Sequence, residues 1–293
     1  MKIGVDGGGT KTELILIDDS AAIVSRHFAP GCNPSLVGQE RAHALMLDAL
    51  AQLVASAPTP RTPVSRTLLC MAGSQNFWSE FAKTLDGYGV VETTTDAAPV
   101  LQLATDGEPG LALHAGTGSF VVARTPEHGV RYAGGLGWRI GDPGSANDIG
   151  RRAAARALAE MQGWAEKSAV GDAFQQLFNT ANPASVTAEL HQSADPNKLL
   201  GSFAQKVSEL AASGDSTAVE SVLASCFELL DCAEAVAGRF FSQTPTREIR
   251  TGLSGPILTQ PFVVKALSKR TTLPLRTISA APIEGLRQLL AKR

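Results

Sequence analysis

Cysteine is scarce in this chain, aromatic residues are few, neither sign of charge dominates, and no long apolar run is present. The four cysteines, at 32, 70, 226 and 232, form no C-x-x-C pair and no Cys/His set with metal-ligand spacing. That excludes a disulfide framework and a zinc module, and it fits reduced, buried thiols. Cys226 and Cys232 lie about 240° apart around a helix, so they do not share a face and read as core packing. With 26 Lys and Arg against 28 Asp and Glu, the formal charge of −2 argues against a nucleic-acid or anionic-membrane surface and for a small-molecule partner. No stretch approaches the roughly 18–20 apolar residues of a membrane span, and the chain enters a strand almost at once, with no export signal in front of it. The expectation is a cytoplasmic protein.

A composition of 44% hydrophobic and 18% charged residues, with 28 glycines, is that of a folded globular protein and not of a disordered or fibrous one. At 293 residues the chain exceeds what most single cores support, which predicts two lobes. Ile3–Val5, Leu14–Ile17 and Ile23–Phe28 read as strands, Gln39–Ala55 as an amphipathic helix, Arg66–Met71 and Val90–Thr94 as strands around a helical run at Phe77–Leu85. That order, β-β-β-α-β-α-β, predicts an α/β lobe with a mixed sheet. From Leu111 the logic repeats as apolar strand, Gly/Thr turn and apolar strand, continuing through Arg131–Ala133, so a second, similar lobe is expected. A glycine-dense bend, G-G-L-G-W-R-I-G-D-P-G-S-A, leads into a helix from about Ala146 to Gln162, and helices dominate to Phe241. Ala181–Asp195 reads as the most loop-like long stretch. Strands are expected at Glu248–Leu253 and Leu273–Ile278, each followed by a helix.

The chemistry concentrates in Val5-Asp6-Gly7-Gly8-Gly9-Thr10-Lys11-Thr12. Glycines directly after a strand permit a tight turn and let an anion approach main-chain N–H groups, while Thr10 and Lys11 add donors. The stretch is neither a Walker A loop nor a G-x-G-x-x-G fingerprint. A carboxylate beside a triphosphate is repelled unless a cation lies between them, so Asp6 reads as a Mg²⁺-side residue acting through water. A tight hairpin is the alternative reading of the glycines alone. Gly116-Thr117-Gly118-Ser119, at the matching place in the repeated unit, favours a pair of turns that pinch one nucleotide.

D-G-G-G-T-K-T, T-T-D-A-A, A-G-T-G-S and G-G-x-G-W-x-x-G-D-x-G-S-A, in this order, resemble the N-acetylglucosamine kinase and glucosamine kinase-like branch of the BadF/BadG/BcrA/BcrD ATPase family. The match is close over residues 1 to about 160. Beyond it, G-L-S-G-P-I-L and the terminal A-P-I-E-G-L-R-Q-L-L are suggestive. The resemblance implies a two-lobed actin-like ATPase fold, ribonuclease H-like, with duplicated βββαβα units and a cleft between the lobes. The first lobe would be residues 1–105 with a C-terminal helix at about 282–293, and the second 106–281 with a helical insertion. It further implies transfer of the ATP γ-phosphoryl group, with Mg²⁺, to the 6-hydroxyl of an amino sugar, most simply N-acetylglucosamine or glucosamine.

By similarity Asp96 is the base that orients the hydroxyl and accepts its proton, though a helix N-cap is the plain alternative for an Asp in that position. Phosphate and ATP contacts fall on Gly8, Gly9, Thr10, Lys11, Gly116, Thr117, Gly118 and Ser119, with Gly252 and Gly255, after a late strand, beside the base and ribose. Sugar contacts fall on Asn33, Ser74, Asp96, Gly135, Trp138 and Asp142; Asn33 before a proline is also a common turn residue. Ser145 to Asp148 has capping-box spacing, so Asp148 reads as structural, and Arg151 and Arg152 as a solvated face. The family often has Trp where Leu136 stands, and Glu where Pro143 stands; both fall in the sugar-framing bend and bear on which sugar is taken. Two other readings are an Fe–S-dependent ATPase activator of a radical dehydratase or reductase, and a non-catalytic sugar sensor. Relatives by this resemblance are often homodimers, which sets the expectation for assembly.

Overall fold

The computed structural model describes residues 1–57, 63–127 and 129–292, so the last residue of the expected C-terminal helix, Arg293, lies outside it. The chain divides into two units, Met1–Gly107 with Ala280–Arg293, and Glu108–Ser279.

In the first unit, β1 (Lys2–Gly7), β2 (Lys11–Ile17), β3 (Ile23–Pro30), β4 (Arg66–Met71) and β5 (Val90–Thr95) form one sheet in the order β3-β2-β1-β4-β5. The first three strands are antiparallel to their neighbours, while β1, β4 and β5 run parallel. The two-residue period of the strands splits their apolar side chains between two faces. Ile3, Val5, Leu14, Leu16, Leu69 and Met71 meet Met46, Leu50 and Leu53 of α2 (Gln39–Ala55) and Trp78 and Phe81 of α3 (Gln75–Lys83). Ile15, Ile17, Leu68 and Cys70 face Ile283, Leu286 and Leu290 of the terminal helix, Pro282–Ala291. The short helix α1 (Pro34–Val37) precedes α2, and α4 (Ala97–Thr105) follows β5.

The second unit repeats the plan. Its sheet is ordered β10-β9-β6-β7-β8, from β6 (Gly110–Ala115), β7 (Ser119–Arg124), β8 (Val130–Gly134), β9 (Arg250–Ser254) and β10 (Leu275–Thr277). Matching β6, β7, β8, β9 and β10 to β1, β2, β3, β4 and β5 reproduces every parallel and antiparallel pairing. One face carries Leu111, Leu113, Val121 and Ala123 against a helical layer: α5 (Ala146–Met161), α6 (Ala169–Phe178), α8 (Pro196–Ala212), α9 (Ser216–Phe240) and α10 (Pro261–Arg270). Within it Cys226 is buried and Cys232 half-buried on α9. With α7 (Pro183–Gln192) numbered in its place, the terminal helix Pro282–Ala291 is α11. Among the described residues no helix is long and apolar enough to cross a membrane.

Three sequence expectations are corrected. Ala181–Asp195 is not a loop, because α7 occupies most of it. The Asn182 side chain accepts from the Ala184 and Ser185 amides and Pro183 opens the first turn, but the helix buries only Val186, so it carries no apolar stripe for a periodicity argument to find. The strand expected from Glu248 starts at Arg250, since Thr246–Glu248 is a 3₁₀ turn. The last strand keeps only Leu275–Thr277.

Helix α11 depends on a close approach to α4: a Cβ at Gly285 would overlap the carbonyl of Pro99. Gly201, inside α8, has no heavy atom within 4 Å of its would-be Cβ. Gly285→Ala is therefore expected to destabilise the protein by about 2 kcal/mol through overpacking against backbone. Gly201→Ala should stabilise it by roughly 0.5–1 kcal/mol through helix propensity. Urea unfolding of the two variants reads both signs, and a neutral Gly285→Ala would show that the helices can separate without cost.

Candidate active site

Register decides which side chains gather in the first unit. Gly7 of β1 lies opposite Met71 of β4, and Met71 opposite Thr95 of β5, so the three parallel strands end level with one another. The segment after β3 emerges at the same edge, because Thr12 pairs with both Gly7 and Ala29. Asp6, Gly8 to Lys11, Asn33, Ser74 and Asp96 thus share one carboxyl-end rim, where parallel sheets offer ligand positions.

The turn from Gly8 to Lys11 is closed by Gly8 N–H donating to the Lys11 carbonyl at 2.9 Å. It is anchored by Gly31 N–H to the Thr10 carbonyl at 3.0 Å and by Thr12 Oγ1 to the Pro30 carbonyl at 2.9 Å. A Cβ at Gly31 would overlap the Gly9 backbone, so the turn and the segment after β3 fit only as bare main chain. Lys11 is exposed, its ammonium 4.0 Å from buried Glu13, which also meets Arg26 at 3.6 Å.

Asp6 and Asp96 are both half-buried. Burial pushes Asp6 up to about 7, with further upward pressure from the Asp96 and Glu13 carboxylates and a downward pull from Lys11. Burial pushes Asp96 up to about 6, against its own N–H and that of Ala97. Asp96 stands at the N-cap position of α4 without making a capping side-chain bond further into the helix; its carboxylate meets its own N–H and that of Ala97 at the helix start. Ser74 does cap α3, accepting from Phe77 N–H at 3.3 Å, and Asn33 caps α1, its Oδ1 accepting from Ser35 N–H at 3.0 Å. Gly73, at φ +88°, packs directly on that Oδ1, and among the described residues the Asn33 amide nitrogen makes no hydrogen bond.

In the second unit the equivalent turn is closed by Gly116 N–H to the Gly118 carbonyl at 2.9 Å, with exposed Thr117 at its tip. Ser119 spends its hydroxyl on the Pro143 carbonyl at 2.6 Å, and Ala146 N–H donates to the Gly116 carbonyl at 2.9 Å. The turn is thereby tied to the bend before α5. Asp142, buried there, accepts from Gly137 N–H at 3.1 Å through Oδ1, while its Oδ2 lies 3.3 Å from where a Cβ of Gly118 would stand. Burial raises its pKa. The loop it clasps is built on glycine, with Gly134, Gly135, Gly137 and Gly141 all at positive φ, and it exposes Leu136 and Ile140 while Arg139 covers the half-buried Trp138 ring at 5.3 Å. Gly255, at φ +90°, presses on the Ala115 carbonyl. Gly252 does not follow its strand as expected: it sits inside β9, opposite Ala112 and Arg276, because the strand runs on to Ser254.

Sequence reasoning missed two groups. His114, in β6 beside the turn, meets Ser254 Oγ through Nδ1 at 3.2 Å and stacks on Phe120; burial pushes its imidazole down to about 4, so it is neutral. Its signal was a polar residue interrupting an apolar strand. The second is Asp148. Only half of the expected capping box forms, with Ser145 Oγ accepting from Asp148 N–H at 3.2 Å. The Asp148 carboxylate turns instead to Arg151, Arg152 and Ser225, so the two arginines are not merely a solvated face. Burial would raise this carboxyl, yet those hydrogen bonds hold it below its usual range.

Two duplicated βββαβα units with glycine turns at matching strand ends define an actin-like ATPase fold. The family model for BadF/BadG/BcrA/BcrD ATPases matches residues 3–282, and the chain belongs to that family. It is 22% identical over 239 residues to an N-acetylmuramic acid/N-acetylglucosamine kinase of Clostridium acetobutylicum, covering 80% of this chain and 78% of the relative. A solved structure from Chromobacterium violaceum, provisionally named an N-acetylglucosamine kinase, is 25% identical with a TM-score of 0.74, covering 99% of this chain and 98% of the other. A ROK family glucokinase from Streptomyces griseus, at 15% identity and a TM-score of 0.61 over 98% and 97% of the two chains, shares the fold.

The raised carboxyls carry a stability consequence. The ordinary Asp value is 3.8 and the folded value for Asp96 about 6, so the folded protein keeps a proton that the unfolded chain has already released. This contribution is complete below about pH 4 and is lost as pH rises through about 6. Asp96→Asn is therefore expected to be more stable than wild type by about 1–2 kcal/mol at about pH 8 without nucleotide, the gain shrinking toward pH 4. Thermal unfolding across that range checks it, and equal midpoints at pH 8 would show that the carboxylate is not strained.

Proposed function

We propose that this protein transfers the γ-phosphoryl group of ATP to the 6-hydroxyl of an amino sugar, N-acetylglucosamine or glucosamine. The protein is an ATP-dependent hexosamine kinase. The observation that carries the finer reading is Asp96: a carboxylate at a parallel-strand end, half-buried, making no capping bond into its helix beyond the first N–H, and raised to about 6. A base near that value is ionised at neutral pH yet still basic enough to accept a proton late in an in-line transfer.

The residues present fit a magnesium nucleotide. The two glycine turns offer bare main chain to phosphates, with Lys11 exposed beside the first. Asp6, held near 7 by burial and by two other carboxylates, sits in surroundings of excess negative charge that a divalent cation would relieve. Bound there through water, Mg²⁺ would neutralise charge developing on the phosphates. The chain's own part is positioning. Asp96 orients the hydroxyl, the Asn33 amide nitrogen donates to a sugar hydroxyl, and the Asp142 carboxylate accepts from one. In the second unit Gly135 and Trp138 would contact the sugar and Gly255 the ribose, while in the first unit Ser74 shapes the rim through its helix cap.

The names of the relatives in Clostridium acetobutylicum and Chromobacterium violaceum support an amino sugar over a plain hexose. The test is ADP release with ATP and Mg²⁺ against glucosamine, N-acetylglucosamine, N-acetylmuramic acid, N-acetylmannosamine and glucose. Release dependent on an amino sugar is expected, with kcat falling below about pH 6 and lowered roughly 10³-fold in Asp96→Asn while sugar binding persists. Near-normal turnover by Asp96→Asn would remove the proposed base, and ATP hydrolysis indifferent to every sugar would favour the activator reading.

A further inference from the structure

Resting on the kinase reading above, we infer that Ser225, a side chain of α9 remote in sequence from every motif, is a positioning residue for the sugar site. Ser225 is fully buried. Its hydroxyl accepts from Gly144 N–H at 2.7 Å and donates to Asp148 Oδ2 at 2.6 Å. Gly144 belongs to the Asp142–Ser145 bend and stands at φ +87°, with Leu229 of α9 2.9 Å from where its Cβ would lie. The helix therefore presses against the bend and at the same point hydrogen-bonds to it.

The consequence passes to Asp142 along the main chain. Ser145 N–H donates to the Asp142 carbonyl at 3.0 Å, and Ser145 Oγ caps Asp148 N–H, so the bend is held at Gly144 and again at the start of α5. Asp148 is in turn fixed by Arg151 and by Arg152, which reaches on to Glu228 of α9 at 2.6 Å. Only a group that donates and accepts at once completes this arrangement, and a serine hydroxyl does both. Removing it strands a buried Gly144 N–H and withdraws one donor from a buried carboxylate, both costly. The Ser119 bond to the Pro143 carbonyl and the Ala146 bond to the Gly116 carbonyl tie the bend to its own sheet, and the Gly144–Ser225 bond is what ties it to α9.

The experiment compares Ser225→Ala with Ser221→Ala, a buried hydroxyl on the same helix that, among the described residues, donates to the Thr217 carbonyl of its own preceding turn and makes no further side-chain bond. Sugar and ATP saturation curves are measured separately, together with amide hydrogen exchange across residues 137–146. In Ser225→Ala the sugar KM is expected to rise about tenfold or more, with kcat and the ATP KM each within about threefold of wild type and exchange of the bend accelerated. Ser221→Ala should change none of these. If Ser225→Ala is not recovered folded, Ser225→Cys, similar in size but a weak donor and acceptor, carries the test with a smaller rise in sugar KM. An unchanged sugar KM in a folded Ser225 variant, a parallel loss in kcat and both KM values, or unaltered exchange would overturn the inference. Wild-type protein without sugar-dependent ADP release would instead overturn the kinase reading, so the two failures are told apart.

Discussion

The constraint on which the first unit turns is the crowding of carboxylates at one rim of its sheet. Asp6 and Asp96 are carried to the same level because β1, β4 and β5 end in register, and Glu13 stands opposite Asp6 across the β1–β2 pair. Hydrophobic burial of Val5, Leu69 and the helices that cover them leaves the sheet no freedom to move these groups apart. Burial is the main cause of the raised Asp6 and Asp96 carboxyls; for Asp6 the neighbouring Asp96 and Glu13 carboxylates add to it, and Lys11 offsets part. An apolar core thus holds an electrostatically unfavourable rim, a combination more easily explained by a charged ligand than by stability.

The two turns occupy one topological place yet differ in chemistry. The first has Asp6 before it and an exposed Lys11 after it, and is braced by Gly31. The second has a neutral His114 before it, and its Ser119 hydroxyl is turned inward to the Pro143 carbonyl. Both copies are braced through main chain, but charge is concentrated in the first. Duplication supplies two anion-ready turns, and the side chains around each give it a separate task.

How far the sequence could be read depended on the range of the forces involved. Local signals were sufficient for the strands flanking each turn, because Leu14 to Ile17 and Leu111 to Ala115 alternate or run apolar as buried strands must. They were sufficient for the placement of Asp96 at a strand end, because T-T-D-A-A leaves a β-rich run for a helical one. They failed at α7, where a capped helix buries a single residue, and at Glu248, where a 3₁₀ turn borrows the composition of a strand. At Asp148 the structural role was legible but the partners of its carboxylate were not. Capping-box spacing read it as a partner for Ser145, but its carboxylate is satisfied by Ser225, 77 residues away in sequence, which no window of local sequence contains.

That long-range bond also bears on why the bend can depart from its family pattern. Pro143 lacks an N–H, yet its carbonyl accepts from Ser119, so the residue contributes through backbone and a fixed φ, not through a side chain. Leu136 lies exposed on the loop clasped by Asp142, where its N–H helps to hold that carboxylate. Both departures remove side-chain chemistry from the bend while leaving its main-chain hydrogen bonds in place. The geometry around Asp142 is therefore set by contacts that survive changes in these two side chains, and on the proposed sugar site selectivity would fall to neighbouring side chains such as Trp138.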